Sequence, residues 1–545
     1  MAAPPRTPVS KEAAPAEIAA ALEEFLAEHP RAALLEDGKT LFDMGSARYS
    51  LSTEHGRCAL HLWSEDRNLV RRVSGTELRH GVLRLTSHKF GQTRPQTLEL
   101  VADRDRRTPS SREATRKNYL KLLERVLLRN FPDWKPDSFR TAMDLERSFG
   151  PAYARGVLLK GTRAWAVIAV NVEESQGTVD GVLSLGILWL AHCREHAGGR
   201  RLFAGLRIVV PQGTAALTLS RMAWLNKQAA QWELYELDQR SEDLIQRDPA
   251  DQGNLNTYMV HAPNHSAAHE RFAGSIGYIL GMLPEGMRPR VELRVRTSTE
   301  LAFLWHGLEF ARARMGIASN SFERVAEMTF GTGAYETPLN EGSEATFTDM
   351  MQRIFHRRHA AGDTRDAIFR MQPERWLESV LRLNVAQLES SFEPQLDAAH
   401  VYSQVPSFSA GDRGMMDLLS VTRSGRLAVL ELKANEDLHL ALQGLDYWVR
   451  VRWHHTQPAD SSGLGEFQRH GYFPGVQLSP GPPKLYLVAP SLRIHPATEI
   501  ILKHLSPAVD WTLVALDERW RRDISVVFRK KSGASTSQLP SGGNS

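Results

Sequence analysis

Two cysteines in 545 residues, Cys58 and Cys193, cannot build a disulfide framework and show no metal-ligand spacing. That scarcity argues against secretion and points to a reducing cytosol. The N-terminal MAAPPRTPVSKEAAPAE has no apolar core of a signal peptide, and no run of about 18 apolar residues is present to span a bilayer. A cytoplasmic protein without a membrane partner is therefore expected. Charge of one sign is also scarce, since the net charge is only +4. That mild excess is compatible with nucleic acid and does not require it. Several catalytic signatures are missing as well. The GKT at Gly38 to Thr40 has Ala33 where a phosphate loop needs its first glycine, and there is no G-x-S-x-G elbow and no paired CxxC. His261, His265 and His269 recur every four residues, but Pro263 interrupts the helix that a metal site would need, so the segment reads as a solvated loop.

What is present is an ordinary globular balance, 42% hydrophobic and 24% charged, in a chain too long for one core. Residues 1–17 and 531–545, rich in Ala, Pro, Ser and Gly, read as disordered tails. After a short helix at Glu17 to Glu28, the segments ARYSLS, CALHLW, GVLRLTS and QTLELV alternate apolar with polar between turn residues, which makes 18–110 a small β-rich domain. From Arg112 onward helices alternate with buried strands, an α/β pattern. Residues 241–370 form a mixed bridging region with a strand VELRVRT, a helix LAFLWHGLEFARARM, a strand VAEMTFGTG and a helix FTDMMQRIFHRRH.

Two α/β stretches resemble each other. Leu206, Pro211, Trp232 and Asp238 map onto Leu485, Pro490, Trp511 and Asp517 with one constant offset of 279 and no gap. An internal duplication is expected, with copies at 111–240 and 371–530. Aligning WAVIAVN with LAVLELK places Ala169 at the Glu431 position and Asn171 at the Lys433 position, so the first copy lacks acidic residues where the second has them.

The chemistry concentrates in GMMDLLSVTRSGRLAVLELKANEDLHLALQGLDYW. Two strands joined by a turn at Arg423-Ser424-Gly425 place Asp417 on the first, and Glu431 and Lys433 on one face of the second. Charged groups in so apolar a strand are costly unless paired or bound to a metal. Two carboxylates and an ammonium suit a hard divalent cation with oxygen ligands. Gln443 and Tyr447 follow at i and i+4 on the next helix.

This pattern resembles the PD-(D/E)XK nuclease superfamily, with Asp417 on one strand and Glu431-Leu432-Lys433 on the next, and its RecB-type members through Gln443-x-x-x-Tyr447. The resemblance implies a restriction-endonuclease-like C-terminal domain, a mixed sheet flanked by helices, with a degenerate copy in the N-terminal half. It implies that Asp417, Glu431 and the Leu432 carbonyl hold Mg²⁺ or Mn²⁺, and that Lys433 orients or helps deprotonate the attacking water. Gln443 and Tyr447 would flank the active site and meet DNA. Glu378 on the preceding helix would complete the site, with Glu374 and Glu389 in reserve. Arg450 and Arg452, among the aromatics of YWVRVRW, are expected phosphate contacts. The expected function is a metal-dependent deoxyribonuclease of repair or defence, with no helicase motor of its own in the chain. The alternative is a catalytically weak nucleic-acid-binding or scaffolding protein that keeps the same fold.

Overall fold

The computed structural model describes residues 14–533, except 31, 37–38, 45–46, 54–56, 64–67, 80–81, 89–94, 103–108, 145–147, 250–256, 318–323, 333–335, 391–392 and 407–413. Most of the two expected tails lies outside the described residues. The chain divides into two compact units, 1–119 and 120–545. It is α/β, with antiparallel and mixed sheets flanked by helices, and no described helix is long and apolar enough to cross a membrane.

In the first unit, helix α1 (Pro15–Glu28) packs Ile18, Leu22, Phe25 and Leu26 onto a seven-stranded antiparallel sheet. Its strands are β1 (Ala33–Glu36), β2 (Lys39–Asp43), β3 (Arg48–Ser52), β4 (Cys58–Trp63), β5 (Asn68–Arg79), β6 (Val82–His88) and β7 (Gln96–Val101). The alternating burial of β4 and β6 is what their period-two sequences dictate for a sheet with one wet face.

After helix α2 (Pro109–Asn130), the second unit opens with β8 (Lys135–Arg140), β9 (Tyr153–Lys160) and β10 (Arg163–Val170). Helix α3 (Gln176–His196), β11 (Leu202–Pro211), α4 (Ala216–Met222), β12 (Gln231–Asp238) and β13 (Asp243–Arg247) complete a six-stranded sheet. A second six-stranded sheet follows near the C-terminus. It runs β19 (Tyr402–Pro406), β20 (Met415–Val421), β21 (Leu427–Leu432), β22 (Lys484–Pro490), β23 (Trp511–Leu516) and β24 (Val526–Lys531), with α10 (Leu440–His455), α11 (Glu466–Arg469) and α12 (Ala497–Lys503) between strands.

The two sheets share strand order and direction. In each, the pairings run antiparallel, antiparallel, parallel, parallel, antiparallel. Register agrees too. Leu206 faces Trp232 as Leu485 faces Trp511, and Pro211 faces Leu237 as Pro490 faces Leu516. This register corrects the sequence alignment by one residue. Ile168 pairs with Ile208 where Glu431 pairs with Leu487, so Ile168 stands at the Glu431 position and Val170 at the Lys433 position. The helices agree. A Cβ on Gly186 of α3 would meet Ile168 at 3.0 Å, and one on Gly444 of α10 would meet Glu431 at 3.5 Å. Arg155 stands one residue before Gly156, the partner of Val167, as Asp417 stands one before Leu418, the partner of Leu430.

The helices α3, α4, α10 and α12 meet in one core between the two sheets. Reciprocal bonds mark its middle, Asn226 N–H to the His504 carbonyl and Ser506 N–H to the Trp224 carbonyl, both 2.8 Å, around a Leu225–Leu505 bridge. A buried Arg221–Asp446 ion pair of 2.7 Å joins α4 to α10.

Between the two sheets in sequence lie α5 (His265–Arg271), α6 (Ala273–Gly281) and an antiparallel sheet of β14 (Glu292–Thr297), β15 (Glu300–Trp305), β16 (Leu308–Ile317), β17 (Arg324–Phe330) and β18 (Thr337–Pro338). Helices α7 (Glu344–Arg357), α8 (Ala367–Arg370) and α9 (Pro373–Asn384) lead into the last sheet. Two expectations fail here. LAFLWHGLEFARARM is the β15–β16 hairpin, because His306 (φ 46°) and Gly307 (φ 74°) make a two-residue left-handed turn that a helix cannot contain. His265 and His269 lie on α5 rather than in a loop, because Asn264 caps it by accepting the Ala267 N–H at 3.0 Å.

Candidate functional site

The site grows from β20 and β21. Every residue of β21 is buried, and Glu431 is 3% exposed among them. Lys433 follows the strand's last residue, its N–H bonded to the Val488 carbonyl at 3.0 Å, and its Nζ lies 3.4 Å from Glu431 Oε1 and 3.5 Å from Asp437. Asp417 on β20 is tied to the same strand, since its Oδ2 accepts the Leu432 N–H at 2.9 Å. Asp417, Glu431 and Lys433 thus come together.

Glu378 joins them from α9, whose amphipathic sequence buries Trp376, Leu377 and Leu381. Fully buried itself, Glu378 is bridged to Asp417 by the Gln404 side-chain amide, which donates to Glu378 and, at 3.3 Å, to Asp417 Oδ1. Arg294 of β14 lies 2.8 Å from Glu378 and Arg375 lies 3.2 Å from it. Gln404 holds a left-handed backbone (φ 53°), as do Gln372 (φ 42°), just ahead of α9, and His306 (φ 46°). These are three of the seven such non-glycine residues among the described ones, and strain of this kind persists only where surrounding contacts enforce it.

Electrostatics follow from burial. Desolvation raises Asp417 to about 6, more than the Leu432 N–H and the Lys433 and Arg375 charges offset. Burial, then Asp417 itself, raises Glu431 well above the carboxylate range. Burial pulls Lys433 down, but Glu431, Asp437 and Asp417 outweigh it and hold the ammonium above its ordinary value. Glu378 is pushed by burial to about 7 against the pull of Arg294 and Arg375.

No family model, curated protein or solved structure matches this chain. The site is therefore read from its own geometry. Glu431 Oε2 is buried and has no hydrogen-bond partner. With both ionised, Asp417 and Glu431 against one ammonium would leave a negative charge that a hard divalent cation would neutralise. Among the described residues no three His, Cys, Asp or Glu side chains are grouped to hold a metal alone. Any metal ion here would need a donor besides the Asp417 and Glu431 carboxylates, and Leu432, whose carbonyl is the expected one, lies between Glu431 and Lys433.

Gln443 and Tyr447 lie on α10, which packs on β21 and β22. Gln443 Oε1 is buried without a partner, and the Tyr447 hydroxyl, raised first by burial, lies in the field of Glu431 and Asp417. Arg450 is one turn further on, and its charge acts on Tyr447. Arg452 is elsewhere: its guanidinium stacks on Trp224 at 4.6 Å, in the contact between the two halves. Of the reserves, Glu374 is close enough to raise Asp417 electrostatically. Glu389 is not, being taken by Lys484 at 2.7 Å and by the Tyr486 hydroxyl. Sequence reasoning missed Gln404, Arg294 and Arg375. Arg375 was legible, at i−3 from Glu378 on a helix, whereas Arg294 meets Glu378 from another sheet.

At the equivalent place in the first sheet, Arg155 is 1% exposed and stacks over Phe149 at 4.7 Å, with Nη2 bonded to the Ala142 carbonyl at 2.7 Å. A buried cation beside Ile168 and Val170 cannot hold a metal ion.

Proposed function

We propose that the chain is a metal-dependent deoxyribonuclease of the PD-(D/E)XK type. In this reading the C-terminal sheet is restriction-endonuclease-like, and the first sheet is a degenerate copy. The observation that carries the reading is the buried Asp417–Glu431–Lys433 cluster with its orphaned Glu431 oxygen. Mg²⁺ or Mn²⁺ held by Asp417, Glu431 and the Leu432 carbonyl would supply charge neutralisation at the phosphoryl oxygens and a water of lowered pKa. The chain's own groups do the rest. The Leu432 N–H and Gln404 fix the Asp417 carboxylate, and Arg294 and Arg375 fix Glu378 behind it. Lys433, cationic because its carboxylate neighbours outweigh burial, donates to the water or to the charge that develops on the phosphoryl oxygens, and is not a base. Tyr447 keeps its proton and offers a hydrogen bond beside the carboxylates.

The test is cleavage of single- and double-stranded DNA by the purified protein with Mg²⁺, Mn²⁺ or EDTA, beside Asp417→Ala and Lys433→Ala. Metal-dependent cutting that falls at least about 100-fold in both folded variants is expected. Cutting that persists in both places the chemistry elsewhere. DNA binding without cutting under any metal makes the protein a binding scaffold on the same fold.

A further inference from the structure

A pocket of about 450 Å³ lies between one face of the β14–β17 sheet and the first turn of α9, within the size range of small-ligand sites. Four guanidiniums line it, those of Arg294, Arg296, Arg312 and Arg375. Arg312 is fully engaged by Glu300, Glu309 and Glu336, whereas the donors of the other three are only partly spent. Arg296 gives Nη2 to Glu309 at 2.8 Å, and Arg375 gives Nη1 to Glu378 at 3.2 Å. Arg294, 6% exposed, keeps Nη1 buried and without a hydrogen-bond partner. Three carboxylates share the lining, and two are already engaged, Glu309 by Arg296 and Arg312, and Glu336 by Arg312. These pairs fix the planes of the guanidiniums rather than cancel them all. A planar fork of donors matches phosphate as well as carboxylate. The pocket also adjoins the carboxylate cluster, because Arg294 and Arg375 line it and hold Glu378.

We propose that this pocket binds a phosphodiester of the nucleic-acid strand lying across the Asp417–Glu431 cluster, one or two nucleotides from the bond that is cut. The proposal rests on the nuclease reading for its ligand, and it gives the pocket-lining face of β14 to β17 and the first turn of α9 the work of positioning the strand.

The test measures binding of a short fluorescein-labelled single-stranded DNA to the full chain in EDTA across a salt series. Arg296→Ala is expected to weaken binding about tenfold and to lower the slope of log K against log salt by about 0.7. Thr329→Tyr, which fills the pocket and changes no charge, should weaken binding similarly, and Arg314→Ala on the same sheet outside the pocket should not. Melting curves establish that each variant is folded. Unchanged affinity and slope in both Arg296→Ala and Thr329→Tyr would overturn the pocket while leaving cleavage, and so the nuclease reading, intact. If no metal supports cutting but Arg296-dependent binding of the oligonucleotide persists, the pocket stands and the catalytic reading falls. If the wild type does not bind the oligonucleotide at all, the pocket proposal falls.

Discussion

The Glu431 carboxylate sits in a strand whose other residues from Leu427 to Leu432 are apolar and buried, and among the described residues the one cation paired with it is Lys433 at 3.4 Å. Such a group is held at a cost, and the cost depends on pH. With Asp417 raised from 3.8 to about 6, the folded chain binds more protons than the unfolded one between about pH 4 and pH 6. The contribution of Asp417 to stability is therefore greatest below that window and declines as pH rises through it. In EDTA the melting temperature should fall by a few degrees across it, and Asp417→Asn should flatten the fall. Added Mg²⁺ should restore the melting temperature at pH 7 in the wild type and not in Asp417→Asn; equal responses would remove Asp417 from the cation's ligands. On the proposed nuclease reading cleavage should have the opposite slope, because the carboxylate must be ionised to act, so activity should climb as pH passes about 6. Asp417, Glu431 and Lys433 were legible in sequence because charge in an apolar strand is conspicuous. Gln404 was not, since its left-handed backbone and its place between two carboxylates exist only after three elements have met.

At the scale of elements, α9 is clamped from behind by the β15–β16 hairpin. A Cβ on Gly307 would stand 2.0 Å from the Arg375 carbonyl oxygen. Buried Arg358 donates to the His306, Ile368 and Met371 carbonyls, lashing the turn to the approach of α9. Gly307→Ala should destabilise the protein by about 1–3 kcal/mol and lower activity beyond that, since the same helix carries Glu378. Activity unchanged in a folded Gly307→Ala would show that α9 does not need this clamp. The hairpin was misread from sequence for a physical reason. β15 is buried almost throughout, so LAFLW lacks the two-residue alternation that marks a half-exposed strand, and only β16 keeps it. The turn signal, one histidine and one glycine, is short. The C-terminal strands were plainer, because Pro490 and Trp511 punctuate them and Gly425 (φ 82°) turns the β20–β21 connection.

For the molecule as a whole, the second unit couples its two six-stranded sheets through polar as well as apolar contacts. Arg221 and Asp446 have side chains only 5% and 11% exposed, and Arg221 also donates to the Asp180 carbonyl. Removing one partner strands the other, so Arg221→Ala should cost about 3–5 kcal/mol by denaturant unfolding, while the Arg221→Met, Asp446→Leu double variant should be far milder. A single variant as stable as the wild type would make the pair incidental. Topological likeness of the halves was visible in sequence as a constant offset, but the register of Ile168 against Glu431 was not. Helix-to-strand spacing differs between the halves, and only hydrogen-bonded pairing fixes which residues correspond.

The Leu225–Leu505 bridge has an implication for how such a protein can change. In an assembly of two identical chains every substitution is made twice, so a residue that helps one site must be tolerable in the other. A single chain that carries both halves escapes that constraint. An arginine can settle at position 155 while an aspartate stays at 417, and the half without a site is free to become purely a foundation for its neighbour.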